Sequence, residues 1–128
     1  MDTQLNATAT EGSPEQVDAT GLMALFDGDV EMLSAVSEVF LEEYPSQLSA
    51  VRVAVQHRNA QALARSSHTL KGSVGIFGAE GAYEMACRLE SFGRETQLAE
   101  ADQTFADLER HVVRLGQILA ALPCSAAA

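Results

Sequence analysis

Apolar residues in this chain return every three or four positions, and that rhythm lays out a series of helices. The opening stretch "MDTQLNATATEGSP" has no such rhythm, being polar, small and aperiodic. Asp18 is then placed to cap a short helix running through Phe26, and Asp27 with Gly28 punctuates before the next segment. Leu33, Val36, Phe40 and Leu41 recur on one helical face. Pro45 predicts that this helix ends near Tyr44, because the residue before a proline is pushed away from the αR region, and proline suits the first position of a renewed helix. Leu48, Val51 and Val55 continue the stripe to about His57.

Asn59 is predicted to cap the following segment, whose stripe from Ala60 to Phe77 is Leu63, Leu70, Val74 and Phe77 with Ser67 on the same side. Gly78 fits its C-cap. Ala82, Met85, Ala86, Leu89 and Phe92 form another face, a polar break spans residues 97–101, and Phe105, Leu108, Val112, Leu115, Leu119 and Leu122 follow at spacings of 3, 4, 3, 4 and 3, which is a bundle seam. Short connections make sequential helices antiparallel neighbours. The expected fold is therefore all-α: an antiparallel four-helix bundle with a short extra N-terminal helix. It would occupy residues 15–123, between a flexible N-terminal tail over 1–14 and a frayed C-terminus over 124–128.

Composition sharpens the class. A chain of 128 residues with 47% hydrophobic content suffices for one domain with a real core, and 5% aromatics with no Trp favours close-packed helices over sheets. The formal net charge of −10 repels phosphate backbones and anionic lipid, so neither nucleic acid nor membrane is an expected partner. Cys87 and Cys124 form no CxxC and suggest neither a disulfide framework nor a zinc site. With no secretory leader pattern and no apolar run of about 18 residues, the cytoplasm is the expected compartment. No histidine has an acid three positions before it, which argues against a di-iron bundle, and no metal or cofactor is expected on the chain.

The distribution of charge says more than its total. All 18 acids fall outside the stretch between Tyr44 and Ala79, yet Arg52, Arg58, Arg65 and Lys71 lie inside it, which suggests a face that meets something negative. His68 falls one step off the core line of that stretch, at the boundary with solvent. Gly72 and Gly75 stand one and two turns beyond it, at a cost of about 1 kcal/mol each relative to Ala. Missing side chains there either let a neighbouring helix approach or clear space above the imidazole. Lys71 lies beside His68 on the helix surface and could neutralise an anion held on the ring. His57 and His111 carry no such surroundings and read as structural or incidental.

The run "HTLKGSVGIFGA" resembles the signature of histidine-containing phosphotransfer (HPt) domains, roughly H-x-L-K-G-S with a Gly-Ala pair ending the helix. "CRLE" on the next helix, "VDATGLMALFDGD" and "FLEEYPSQL" resemble other segments of that family, so the likeness spans about residues 17–120. Val74 and Gly75 depart from the small or polar residues often found after K-G-S. The resemblance implies that His68 is the phosphoryl acceptor, Lys71 its electrostatic neighbour and Gly72 the clearance position beneath a docked receiver domain, with Gly75, Arg65 and Ala64 on the docking face. It also makes Glu90 the residue that holds the ring from the next helix, accepting from Nδ1–H and leaving Nε2 outward as the attacking atom.

The expected function is that of a phosphorelay intermediate, carrying a phosphoryl group between receiver-domain aspartates. Its partners would be response-regulator receiver domains and a hybrid or histidine kinase, with the chain itself a monomer. Without a glycine-rich nucleotide loop the chain is expected not to use ATP directly, so it is a carrier rather than an enzyme, and magnesium belongs in the receiver's acidic pocket. Two alternatives stand beside this reading: the phospho-accepting module of a chemotaxis-type kinase, and a non-phosphorylated interaction bundle.

Overall fold

The computed structural model describes residues 17–122. The tail predicted over 1–14 and the frayed end predicted over 124–128 lie outside the described residues. Five helices account for the rest: α1 (Ala19–Leu25), α2 (Val30–Gln56), α3 (Ala60–Gly75), α4 (Glu80–Glu95) and α5 (Ala101–Ala120). No strand occurs among the described residues. Asp18, Asp29 and Asn59 each accept a hydrogen bond from a backbone N–H in the first turn of α1, α2 and α3, so three of these starts are fixed by side-chain caps.

Each long helix packs on its neighbours in sequence, and α5 closes the ring against α2. Contacts running in opposite directions show that the neighbours are antiparallel. Ala64, His68 and Gly75 along α3 meet Gly93, Glu90 and Tyr83 along α4. Tyr44, Arg52 and Arg58 in turn meet Gly116, Glu109 and Asp102 of α5. The core between the helices takes Leu33, Phe40, Leu48 and Val51 from α2, Leu63, Leu70 and Val74 from α3, Ala86 and Leu89 from α4, and the whole predicted α5 seam. Phe77, in the α3–α4 turn, meets the Phe40 ring edge-on at 5.4 Å and Phe26 at 6.4 Å, which ties α1 and that turn to the same core.

Pro45 does not interrupt the chain's second helix: α2 runs unbroken through it for 27 residues. Proline removes one backbone donor and crowds the carbonyl one turn back, at roughly 3 kcal/mol in a helix interior. Here Pro45 is on the exposed side, where water can solvate the freed Leu41 carbonyl, while Phe40 and Leu48 on either side are buried in one core. Packing therefore outweighs the local preference. Two ends also differ from expectation. α1 stops at Leu25 rather than Phe26, and α3 stops at Gly75 rather than Phe77. The chain leaves α3 through i→i−3 bonds from Phe77 to Val74 and from Gly78 to Gly75, so Gly78 takes its left-handed φ of +67° in the turn beyond the cap, not at it.

Gly93 sets how closely α3 and α4 approach. A Cβ on it would stand 2.6 Å from both the Ala60 carbonyl oxygen and the Ala64 amide nitrogen, so only glycine lets the two backbones cross there. One turn earlier on α4, that close crossing delivers Glu90 to α3.

A candidate phosphoryl-accepting site on α3 and α4

His68 projects from the middle of α3 with its side chain 64% exposed, as its position one step off the core line requires. Its Nδ1 lies 2.9 Å from Glu90 Oε2. Glu90 itself is only 7% exposed and is held on both oxygens: Lys71 Nζ reaches Oε1 at 2.8 Å, and Arg94 reaches Oε2 at 2.6 Å from one turn along α4. Burial by itself would push the Glu90 carboxyl up, but hydrogen bonds from Lys71 and His68 and the charges of Lys71 and Arg94 outweigh it and hold the group below its usual range. The Lys71 ammonium is correspondingly raised by its hydrogen bond to Glu90, against the opposing effect of its partial burial.

Those states determine where the proton lies. An ionised carboxylate only accepts, so the hydrogen in the His68–Glu90 bond sits on Nδ1. Nε2 then carries the lone pair on the exposed side of the ring and is free to act as a nucleophile. Glu90, which could have been one more solvated acid of α4, is instead the one charged side chain buried among the described residues.

Lys71, expected beside His68 on the helix surface, reaches across to α4. Its side chain is 22% exposed and is engaged with Glu90 Oε1. Arg94, at 67% exposure, is the more open cation of the cluster, and sequence reasoning missed it. The signal was present, since an arginine four residues after an acid on a helix pairs with it. Tyr83 and Cys87 also lie close enough to Lys71 to bear on its charge, which extends the α4 flank of the site toward the α3–α4 turn.

The two glycines beyond His68 have different surroundings. A Cβ on Gly72 would meet nothing within 4 Å, so the space one turn from the imidazole is open to a partner. A Cβ on Gly75 would lie 3.4 Å from the Tyr83 ring, which already covers that position from α4. Ala64 is half-buried against Gly93 at the helix crossing, and Arg65 is exposed one turn before Thr69.

The acid-free stretch does not form one open basic face. Arg52 pairs with Glu109 at 2.6 Å, Arg58 with Asp102 at 2.6 Å and Lys71 with Glu90, so three of its four cations hold acids of α4 and α5. The segregation of charge in sequence becomes pairing between helices in space. His57 caps the C-terminus of α2, before α3 begins, and His111 belongs to α5. Among the described residues no three His, Cys, Asp or Glu side chains are grouped to hold a metal, and no helix is long and apolar enough to cross a membrane.

Comparison with known proteins bears on the family and the fold. A family model described as "Hpt domain" matches residues 35–122, more than half of the chain. The structure is similar to the crystal structure of histidine-containing phosphotransfer protein B (HptB) from Pseudomonas aeruginosa. The TM-score is 0.72 at 22% sequence identity, covering 81% of this chain and 90% of that one. No curated protein matches the sequence.

Proposed function

The chain belongs to the Hpt domain family and so serves phosphotransfer in two-component signalling; from that premise we propose that His68 accepts a phosphoryl group from the aspartate of one receiver domain and passes it to the aspartate of another. The observation that carries this reading is the bond from His68 Nδ1 to a buried, doubly paired carboxylate, which leaves Nε2 outward above the open space at Gly72. In the forward step the Nε2 lone pair attacks phosphorus, the aspartyl O–P bond breaks, and the receiver carboxylate leaves with the bond electrons. Magnesium and the other groups that stabilise the transferring phosphoryl belong to the receiver. The chain contributes a positioned nucleophile, a clear approach and nearby positive charge.

Gly72, the exposed Arg65 and the apolar surfaces of Ile76 and Tyr83, 52% and 43% exposed, form the face on which a receiver would sit. A second reading rests on the same His–Glu pair, which resembles the phospho-accepting module of a chemotaxis-type kinase. There a separate ATP-binding domain would be the donor. Offering the parent protein and His68→Gln a phosphorylated receiver in one reaction, and ATP with such a kinase domain in another, separates the two. Relay function predicts label on the parent from the receiver and none on His68→Gln. Label retained by His68→Gln would remove His68 from the mechanism, and label from ATP alone would favour the kinase module.

A further inference from the structure

Glu90 has a consequence after phosphorylation as well as before it. We propose that Glu90 keeps the proton on Nδ1 of phosphorylated His68, so that the ring departs as neutral imidazole and the protein is built to give its phosphoryl group away rather than to store it. This rests on the reading of His68 as the phosphoryl acceptor and adds the property that sets the group's lability.

Two chemical states are open to an imidazole bearing phosphorus on Nε2. If Nδ1 has lost its proton, breaking the N–P bond must return the electron pair to an imidazolate anion, a poor leaving group. If Nδ1 keeps its proton, the pair returns to Nε2 of a neutral ring, and no further proton need be delivered. Which state prevails depends on what faces Nδ1. Here it is a carboxylate oxygen at 2.9 Å, on a side chain 7% exposed. A deprotonated Nδ1 would set its lone pair against that oxygen with little water to separate them, whereas Nδ1–H satisfies both.

The carboxylate cannot readily turn away, because Lys71 holds Oε1 and Arg94 shares Oε2 with the histidine. Nor can it take the proton for itself while two cations favour its ionised form. The charged and titratable groups facing the cluster are Lys71 on α3 with Arg94, Cys87 and Tyr83 on α4, and neither cation can accept a proton from the ring. An amide at position 90 would remove this bias, since it can rotate to donate its N–H to a bare Nδ1. Glu90 is therefore a positioning residue for a proton, with a role in the outward transfer that tautomer selection in the resting protein does not supply.

The test uses 15N-histidine-labelled protein phosphorylated with phosphoramidate, a small N–P donor whose own bond breaks to release ammonia as Nε2–P forms. Nitrogen NMR then reads the protonation of Nδ1 directly from about pH 6.5 to about pH 8.5, upward from the ordinary histidine pKa of about 6.5, where an unassisted ring sheds its second proton. Phosphorylated parent is expected to keep Nδ1–H across the range, while Glu90→Gln loses it. Loss of the phosphoryl group to water at the upper pH should be roughly tenfold to a hundredfold slower in Glu90→Gln, and Glu90→Asp should restore part of the parent rate. A phosphorylated parent whose Nδ1 sheds its proton within the range overturns the proposal, and that spectrum decides the matter even if no variant folds. Equal lifetimes in parent and Glu90→Gln overturn it too. Failure of phosphoramidate to modify His68 at all is a different result, since it removes the acceptor reading on which the proposal stands.

Discussion

Gly72 and Gly93 show why identical residues on adjacent helices must be read by their surroundings. Both stand inside helices, where glycine is unfavourable, and the sequence assigns them the same cost. The structure separates them. Gly72→Ala places a methyl in open space, so chemical denaturation should show stability raised by up to about 1 kcal/mol, and a bulkier Gly72→Gln should fold as well while slowing transfer from a receiver. Gly93→Ala drives a methyl into the backbone of α3 and should cost about 3 kcal/mol or more in the same measurement. A gain from Gly93→Ala would mean the crossing is not as close as described. The role of Gly93 was illegible in the sequence because nothing in "SFGRE" indicates what faces it.

Glu90 is the residue whose behaviour with pH follows from its contacts. Its folded carboxyl lies below the ordinary value of 4.5, so its contribution to stability is fully present above that value and is lost as pH falls through the lower folded one. Denaturation midpoints of parent and Glu90→Gln should therefore differ above about pH 5 and draw together in acid. A difference that persists unchanged into acid would place the effect in packing rather than in charge. The pairing of Glu90 with His68 was available only through the resemblance, and the contribution of Arg94 only through the i,i+4 rule applied to that one acid.

Helices in this protein are specified mainly by the face they bury. The α5 seam, the stripes of α3 and α4 and the asparagine cap of α3 were all legible, because burial imposes the spacing of three and four that periodicity detects. Pro45 was misleading because its local preference is real and is overruled only by long-range packing of Phe40 and Leu48. Pro45→Ala supplies the missing N–H and relieves the crowding at Leu41. It should stabilise the protein by roughly 1–2 kcal/mol, the helix gain being reduced by the greater freedom of the unfolded chain. Urea midpoints read this, and a loss of stability would show that proline shapes α2 in a way the bundle uses. The early end of α3 has a similar origin, since Phe77 is buried at 2% exposure and is reached by a tight turn rather than by a longer helix.

At the scale of the whole molecule, charge is distributed between helices rather than gathered into one field. The chain carries a net charge of −10, yet acids of α4 and α5 meet cations of α2, of α3 and of the turn between them across the bundle. Such exposed pairs contribute little each, about 0–1 kcal/mol, and serve to fix which helix faces which. Their exception is the cluster around Glu90, where burial makes the same kind of pairing hold the His68 ring. Under the proposed function this cluster prepares Nε2 of His68 for a phosphoryl group. A phosphorus–nitrogen NMR correlation on labelled protein, recorded after incubation with a phosphorylated receiver domain, reads the bond itself. The expected result is a single phosphorus bonded to Nε2 of His68 and no signal from His68→Gln. Phosphorus on Nδ1, or on any other residue, would contradict it.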